Sequence, residues 1–114
     1  MCEKIIRVYI ASPYTIGNKQ ENVETQIKMA AKLISFGYNP FWPLASHYVD
    51  LYIHNSWDTW MDLDLDWILA CDCLLRLPGE SKGADMEVTF ALEHNIPVFY
   101  SVDELENWKH QQYD

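Results

Sequence analysis

Four short runs of β-favouring residues alternate along the chain with segments of helical periodicity. The runs span residues 5–10, 38–42, 72–77 and 96–100, and the helical segments span residues 21–36, 57–70, 82–94 and 103–110. This alternation predicts a doubly wound α/β fold, a flavodoxin- or Rossmann-like three-layer sandwich around a parallel sheet of four to five strands. The 114 residues are one domain by length, so we expect a single domain over residues 1–114.

The strand patterns also predict an order within the sheet. The continuous apolar run at residues 5–10 is typical of a buried central strand, whereas Pro40 places the second strand at an edge. In such sheets ligands bind beyond the carboxyl ends of the strands, where the strand order reverses. If that reversal lies between the first and third strands, the segment from Tyr9 to Tyr14 meets the turn that follows the third strand.

The first predicted helix carries a regular apolar pattern. Its apolar residues recur at i, i+4, i+7 and i+11, and the pattern predicts that they form the buried face: Val23, Ile27, Ala30 and Ile34. Gly37 is the predicted signal for the end of this helix. The segment from Pro43 to Ser56 is predicted as a loop; its His47 and His54 either line the mouth of a cleft or are solvated or capping residues.

The turn between the third strand and the third helix is the strongest candidate for a binding site. Pro78 and Gly79 end the strand, Ser81 is a predicted N-cap, and Gly83 permits close approach of a ligand to the backbone. Free N–H groups at such a helix start suit an anion. Glu87 follows in the first turns of the helix. It is either a reactive carboxylate or a partner of the helix dipole.

The second helical segment places one carboxylate on its apolar side. At about 100° per residue, Asp64 lies at the centre of a stripe with Trp57, Trp60, Met61, Trp67, Ile68 and Cys71. Asp58, Asp62 and Asp66 fall on the opposite side, so the Asp62–Asp66 run is not a metal triad in a helix. A carboxylate on an apolar stripe is unfavourable unless it is paired or used. Asp64 is therefore either a functional residue or a structural hydrogen-bond anchor.

Charge and cysteine usage exclude several classes of protein. The formal net charge is −9 and no basic cluster interrupts it, which argues against binding to nucleic acid polymers or anionic membranes. The chain has three cysteines and no CxxC pair, so neither a zinc site nor a disulfide scaffold is indicated; the cysteines are Cys2, Cys71 and Cys73. No signal peptide or membrane span is recognisable, and we expect a cytoplasmic protein.

Several segments together resemble the nucleoside 2-deoxyribosyltransferase superfamily, which includes the 2′-deoxynucleoside 5′-monophosphate N-hydrolases. The similar segments are Tyr9-Ile-Ala-Ser-Pro-Tyr14, Gly37-Tyr-Asn-Pro-Phe-Trp-Pro43, Asp64-Leu-Asp-Trp-Ile-Leu-Ala-Cys-Asp72, and Ser81-Lys-Gly-Ala-Asp-Met-Glu87 with Ala91 and Pro97. The order and spacing of these segments together indicate the superfamily more specifically than any single segment does. The chain looks closest to the short bacterial and phage members.

The resemblance implies a role for individual residues. Glu87 matches the nucleophile that attacks the anomeric carbon, Tyr9 matches the residue that orients it, and Asp64 matches an acid that contacts the sugar or the base and helps to protonate the leaving base. Ser81 and Gly83 match the turn that receives the 5′ group. The residues alone leave two alternatives open: Tyr9 as an ordinary core aromatic residue and Ser81 as a helix cap only.

The loop after the first strand completes the implied substrate site, through Ser12, Pro13 and Tyr14, and His47 is expected at its mouth. This loop lacks the Gly and Arg richness of the phosphate-specific hydrolases. The last residues, 111–114, show no recognisable equivalent of the segment with which transferases complete a neighbour's pocket. A homo-oligomer is nevertheless expected from the resemblance and from the many aromatic residues.

The sequence therefore predicts an N-glycosidase of a nucleoside or nucleotide that needs neither metal nor organic cofactor. Hydrolysis is favoured over base exchange, because no visible segment closes the pocket against water. The alternative is a non-catalytic module that binds or sequesters a nucleotide on the same fold. The base, the sugar and the requirement for a 5′-phosphate are left open.

Overall fold

A computed structural model describes residues 4–113 of the chain, so Cys2 lies outside the described residues. Its elements are β1 (Arg7–Ala11), α1 (Lys19–Ser35), β2 (Asn39–Phe41), a 3₁₀ turn (Pro43–Ala45), α2 (Ser46–Asp50), α3 (Trp57–Leu69), β3 (Cys73–Arg76), α4 (Lys82–Glu93), β4 (Val98–Phe99) and α5 (Val102–Tyr113). The predicted alternation of strands and helices is confirmed. No helix in this part of the chain is long and apolar enough to cross a membrane.

The sheet has four strands in the order β2-β1-β3-β4, and all neighbouring strands are parallel. The strand order reverses between β1 and β3, as the sequence predicts, and β2 with Pro40 lies at an edge. The fourth strand is shorter than predicted, because only Val98 and Phe99 pair with β3. The doubly wound α/β fold is therefore confirmed, with a sheet at the lower limit of the expected size.

Alternate residues of the central strands face two separate apolar layers. Val8 and Ile10 pack with α1 and α5, through residues such as Leu33 and Leu105. Tyr9 and Ala11 face the other side and pack with α3 and α4, through Ile68, Ala84 and Ala91. Because successive side chains of a strand point to opposite faces, this alternation places Tyr9 beneath α4. The three-layer sandwich therefore fixes the side of the sheet on which Tyr9 can act.

Two predictions for the first half of the chain are wrong in detail. In α1, Ile27 and Ile34 are exposed, and the buried face is formed by Val23, Gln26, Ala30 and Leu33. A polar side chain takes the place of an apolar one there, because the amide of Gln26 binds buried backbone groups. The predicted loop over residues 43–56 contains the 3₁₀ turn and α2, which are too short to produce a periodic pattern.

The apolar stripe of α3 is narrower than predicted. Met61 and Ile68 are buried and Asp64 lies half-buried between them, whereas Trp57 and Trp67 are largely exposed. The indole of Trp67 stacks on the partly buried ring of Phe41, with 4.6 Å between the ring centroids. Asp58, Asp62 and Asp66 are exposed, as the helical period predicts.

Candidate active site

The site is assembled where the loops after β1 and β3 lie side by side. Ala11 of β1 pairs with Arg76 of β3, and the Leu77 N–H donates to the Ala11 carbonyl at 2.8 Å. The Arg76 guanidinium donates to the Leu77 and Gly79 carbonyls and to Asp85 Oδ1, and so fixes the turn that leads to α4. The reversal of strand order thus leaves room for a cavity between these loops and α2 and α3.

The cavity measures about 220 Å³ and brings together most of the residues singled out from the sequence. Its walls include Ser12, Tyr14, His47, Asp64, Ser81, Gly83 and Glu87. Tyr9 lies behind Glu87, fully buried in the layer under α4. Pro13 does not line this cavity. It lies beside Gly79, where its Cγ would be 2.7 Å from a Cβ added to that glycine.

Glu87 lies on the buried face of α4, one turn after Ala84 and one turn before Ala91. Ser81 caps the helix, since its Oγ accepts from the Ala84 N–H at 3.1 Å. The Tyr9 hydroxyl donates to Glu87 Oε2. Oε1 receives no hydrogen bond from the described residues, and none of their fully buried side-chain oxygens lacks a partner, so Oε1 is open to the cavity. The local fold thus offers one restrained and one free carboxylate oxygen.

Burial perturbs all three titratable groups at this point. It raises the pKa of Glu87 from 4.5 to about 8, against the opposing effect of the Tyr9 hydroxyl and with an added contribution from the charge of Asp64. Burial likewise raises the pKa of Asp64 from 3.8 to about 7. The pKa of Tyr9 is raised well above 10 by burial and by Glu87, so its hydroxyl stays a donor. Two carboxyl groups with raised pKa values share one cavity, a pattern that is typical of acid–base catalysis.

Sequence reasoning missed two residues that shape the cavity. Gln26 is almost fully buried; its Nε2 donates to the Ile10 carbonyl at 3.0 Å and to Ser12 Oγ at 2.8 Å, and its Oε1 accepts from the Leu44 N–H at 2.8 Å. It therefore ties α1 to the loop after β1 and to the 3₁₀ turn. Its position on the buried face of α1 is the signal that could have found it.

Asp50, at the end of α2, is the second missed residue. It lines the cavity and accepts hydrogen bonds from the Asn55 N–H at 2.8 Å and from Trp60 Nε1 at 2.9 Å. No pattern in the sequence marks it, because its partners are brought to it by the irregular turn before α3. His47, which was expected at the mouth, lies at the cavity with its Nδ1 2.6 Å from the Tyr14 hydroxyl oxygen.

Two further acidic residues, Asp72 and Asp85, make structural contacts. Asp72 accepts from the Arg7 N–H at 2.8 Å and from Lys4 Nζ at 2.7 Å, and so joins β3 to the start of β1. Asp85 lies in the first turn of α4 and pairs with Arg76. Among residues 4–113, no group of three or more His, Cys, Asp or Glu side chains is arranged to hold a metal ion.

Comparison with known proteins identifies the family. A family model described as a domain of unknown function (DUF4406) matches residues 6–100. The chain belongs to the DUF4406 family. A search of curated proteins finds no match. The matched part of this DUF4406 chain contains Tyr9, Asp64 and Glu87, but the family description names no reaction, so the resemblance to the nucleoside 2-deoxyribosyltransferases stays a prediction.

The raised pKa of Glu87 predicts a loss of stability as the pH rises. A carboxyl group whose pKa is higher in the folded chain binds more protons there, so the free energy of unfolding falls between the unfolded pKa of 4.5 and the folded value of about 8. We expect Glu87→Gln to reduce this fall, because the amide cannot ionise and still accepts from Tyr9. Urea unfolding at several pH values between 5 and about 8 measures how the free energy of unfolding of each protein changes with pH.

The matched control is Glu93→Gln, which removes an exposed carboxylate from the same helix. It should leave the pH dependence of the wild type in place. An unchanged slope in Glu87→Gln would contradict the raised pKa.

Proposed function

We propose that the protein is an N-glycosidase that cleaves or exchanges the bond between the base and the sugar of a nucleoside or nucleotide. The observation that carries the proposal is the hydrogen bond from Tyr9 to Glu87 at the wall of a cavity that also contains Asp64. A nucleophilic carboxylate, a group that orients it and a second carboxyl group are the parts that a retaining glycosidase uses.

Glu87 is the proposed nucleophile. Tyr9 holds Oε2, which leaves Oε1 free to form a bond to the anomeric carbon while the bond from that carbon to the base nitrogen breaks. In the empty cavity burial favours the protonated form of Glu87. The reacting form is the carboxylate, so the proton of Glu87 leaves to solvent before the attack. The positive charge that develops on the anomeric carbon and the Tyr9 hydroxyl both favour this ionised form.

Asp64 is the proposed acid and base. Its pKa of about 7 leaves a large share of the carboxyl group protonated near neutral pH, so it can donate to the base nitrogen that takes the bonding electron pair. Its charge affects the pKa of Glu87, which is the behaviour of two neighbouring carboxyl groups in one cavity. After the base departs, Asp64 is ionised and can accept a proton.

The second half of the reaction releases the sugar. Asp64 takes a proton from water as the water oxygen bonds to the anomeric carbon, and the bond between that carbon and Glu87 breaks. Both carboxyl groups return to their starting states. A second base in place of water gives exchange. Neither reaction draws on a metal or an organic cofactor, and the rings of Trp57 and Trp60 in the cavity wall supply surfaces on which a base can stack.

Release of free base tests the proposal. We expect the wild type to release base from at least one member of a panel of nucleosides and 5′-monophosphates, measured by chromatography. Glu87→Gln should lower kcat by roughly 10³-fold or more, because it removes the nucleophile. Glu93→Gln on the same helix is the matched control and should keep the wild-type rate. Binding without base release, even with an acceptor base present, would favour the non-catalytic nucleotide-binding module.

We further propose that the protein acts as a cytoplasmic homo-oligomer. An apolar groove of about 470 Å³ beside the cavity is lined by Phe41, Trp42, Val49, Leu63 and Trp67. Four of these side chains are largely exposed, which is unfavourable in water and typical of a surface that another protein covers. Cys71 and Cys73 are free thiols, which is compatible with a reducing compartment.

Sedimentation tests self-association. The wild type is expected to sediment above the mass of one chain, and Leu63→Glu in the apolar groove to shift it towards the monomer, since the interface would bury a charge. The control is Ile34→Glu, an equally exposed apolar residue of α1 on the other side of the sheet. A wild type that sediments only as a monomer at micromolar concentration would contradict the proposal.

A further inference from the structure

The carboxylate of Asp50 places a fixed negative charge in the cavity wall. The Asn55 N–H and the indole N–H of Trp60 donate to Oδ1, and His54 Nδ1 lies 2.9 Å from Oδ2. The Asn55 N–H, followed by the Trp60 and His54 hydrogen bonds, lowers the pKa of Asp50 to about 2. The proposed reaction does not use this charge, so the carboxylate of Asp50 has no role in the chemistry described above.

Asp50 is the carboxyl group of the cavity wall that stays ionised at neutral pH, because burial raises the pKa of Asp64 to about 7 and that of Glu87 to about 8. Lys19 is the only lysine or arginine among the lining residues. The ammonium group of Lys19 lies 5.4 Å from the centroid of the Tyr14 ring, at the mouth. A doubly charged phosphate in this cavity would meet the fixed carboxylate of Asp50, with Lys19 as the one lysine or arginine in the wall.

The arginines of the chain lie too far away, or are too fully engaged, to bind a phosphate in the cavity. Arg7 begins β1, whereas the cavity lies beyond the other end of that strand, at Ala11. The guanidinium of Arg76 is held by the carbonyls of Leu77 and Gly79 and by Asp85. Bidentate binding of phosphate by arginine is therefore ruled out at this site.

The start of α4 is also covered in part. Ser81 Oγ already accepts from the Ala84 N–H. A Cβ added at Gly83 would lie 3.8 Å from Met61 Sδ and 4.0 Å from Trp57 Nε1, so side chains of α3 lie against this glycine. The cavity wall offers a sugar the hydroxyl groups of Ser12 and Ser81 and the carboxylate oxygens of Asp50 as hydrogen-bond partners.

We propose that Asp50 is a specificity-determining residue that excludes phosphorylated substrates, so that the site takes a nucleoside with a free 5′-hydroxyl group. The inference rests on the proposed function and specifies its substrate. An ionised carboxylate accepts a hydrogen bond from a hydroxyl group but repels a phosphate.

Turnover of matched substrate pairs tests the inference. For a nucleoside and its 5′-monophosphate, we expect the wild type to favour the nucleoside by at least about tenfold in kcat/KM, since like charges at close range repel strongly in a partly buried site. Asp50→Asn keeps the size of the side chain and removes the charge, so the preference should shrink several-fold. Asp58→Asn on the exposed side of α3 is the control and should leave the preference unchanged.

Two further measurements keep the test independent of folding and of turnover. Raising the salt concentration should narrow the preference in the wild type, because it screens the repulsion, and no variant is needed for this. Binding to Glu87→Gln, followed by tryptophan fluorescence, compares the two ligands without any reaction. Tighter binding of the nucleoside supports the inference even if no base is released. Absence of base release would contradict the proposed glycosidase activity but not the preference for the nucleoside.

Other results overturn the inference. These are a preference for the monophosphate in turnover or binding, a preference that Asp50→Asn leaves unchanged, or a failure of both ligands to bind. A preference for the monophosphate with base release would leave the glycosidase in place and reassign only its substrate.

Discussion

A hydrogen bond between a strand and a helix determines how the candidate site is built. Tyr9 lies in the middle of β1 with no exposed surface, and its hydroxyl reaches Glu87 on the buried face of α4. A carboxyl group at a core position is unfavourable unless a polar partner meets it there. The partner comes from β1, a central strand that lies between β2 and β3 and turns Tyr9 towards α4.

The rest of the fold holds this pair at the edge of a cavity. The ion pair of Arg76 with Asp85 and its bonds to two carbonyl groups fix the turn before α4. On the opposite wall, Gln26 ties α1 to the loop after β1 and to the 3₁₀ turn, so that Ser12 has a defined position. Both are buried polar side chains with satisfied hydrogen bonds, the kind of interaction that selects one arrangement of loops over others.

Much of this arrangement was accessible from the sequence, and the parts that were not have physical causes. Periodicity located the strands and helices, and the spacing of Asp64 among the apolar residues of α3 marked it as unusual. The exposure of Ile27 and Ile34 was not predictable. Gln26 occupies the buried face because its amide hydrogen-bonds backbone groups of β1 and of the 3₁₀ turn, which lie outside α1. Asp50 was missed for a different reason: its donors are close in sequence, but the irregular turn between α2 and α3 brings Asn55 and Trp60 to it, and such a turn has no periodic pattern. Periodic patterns report regular helices and strands, whereas Gln26 acts through contacts between separate elements and Asp50 through an irregular turn.

The central claim is that Glu87 becomes covalently bound to a sugar. The most direct test is intact-protein mass spectrometry after incubation with a nucleoside whose 2-fluoro sugar slows release of the glycosyl-enzyme intermediate. The account predicts a mass increase of one fluorinated sugar, located on the peptide that contains Glu87 and absent from Glu87→Gln. Release of base without any adduct, or an adduct on Asp64 in place of Glu87, would contradict it.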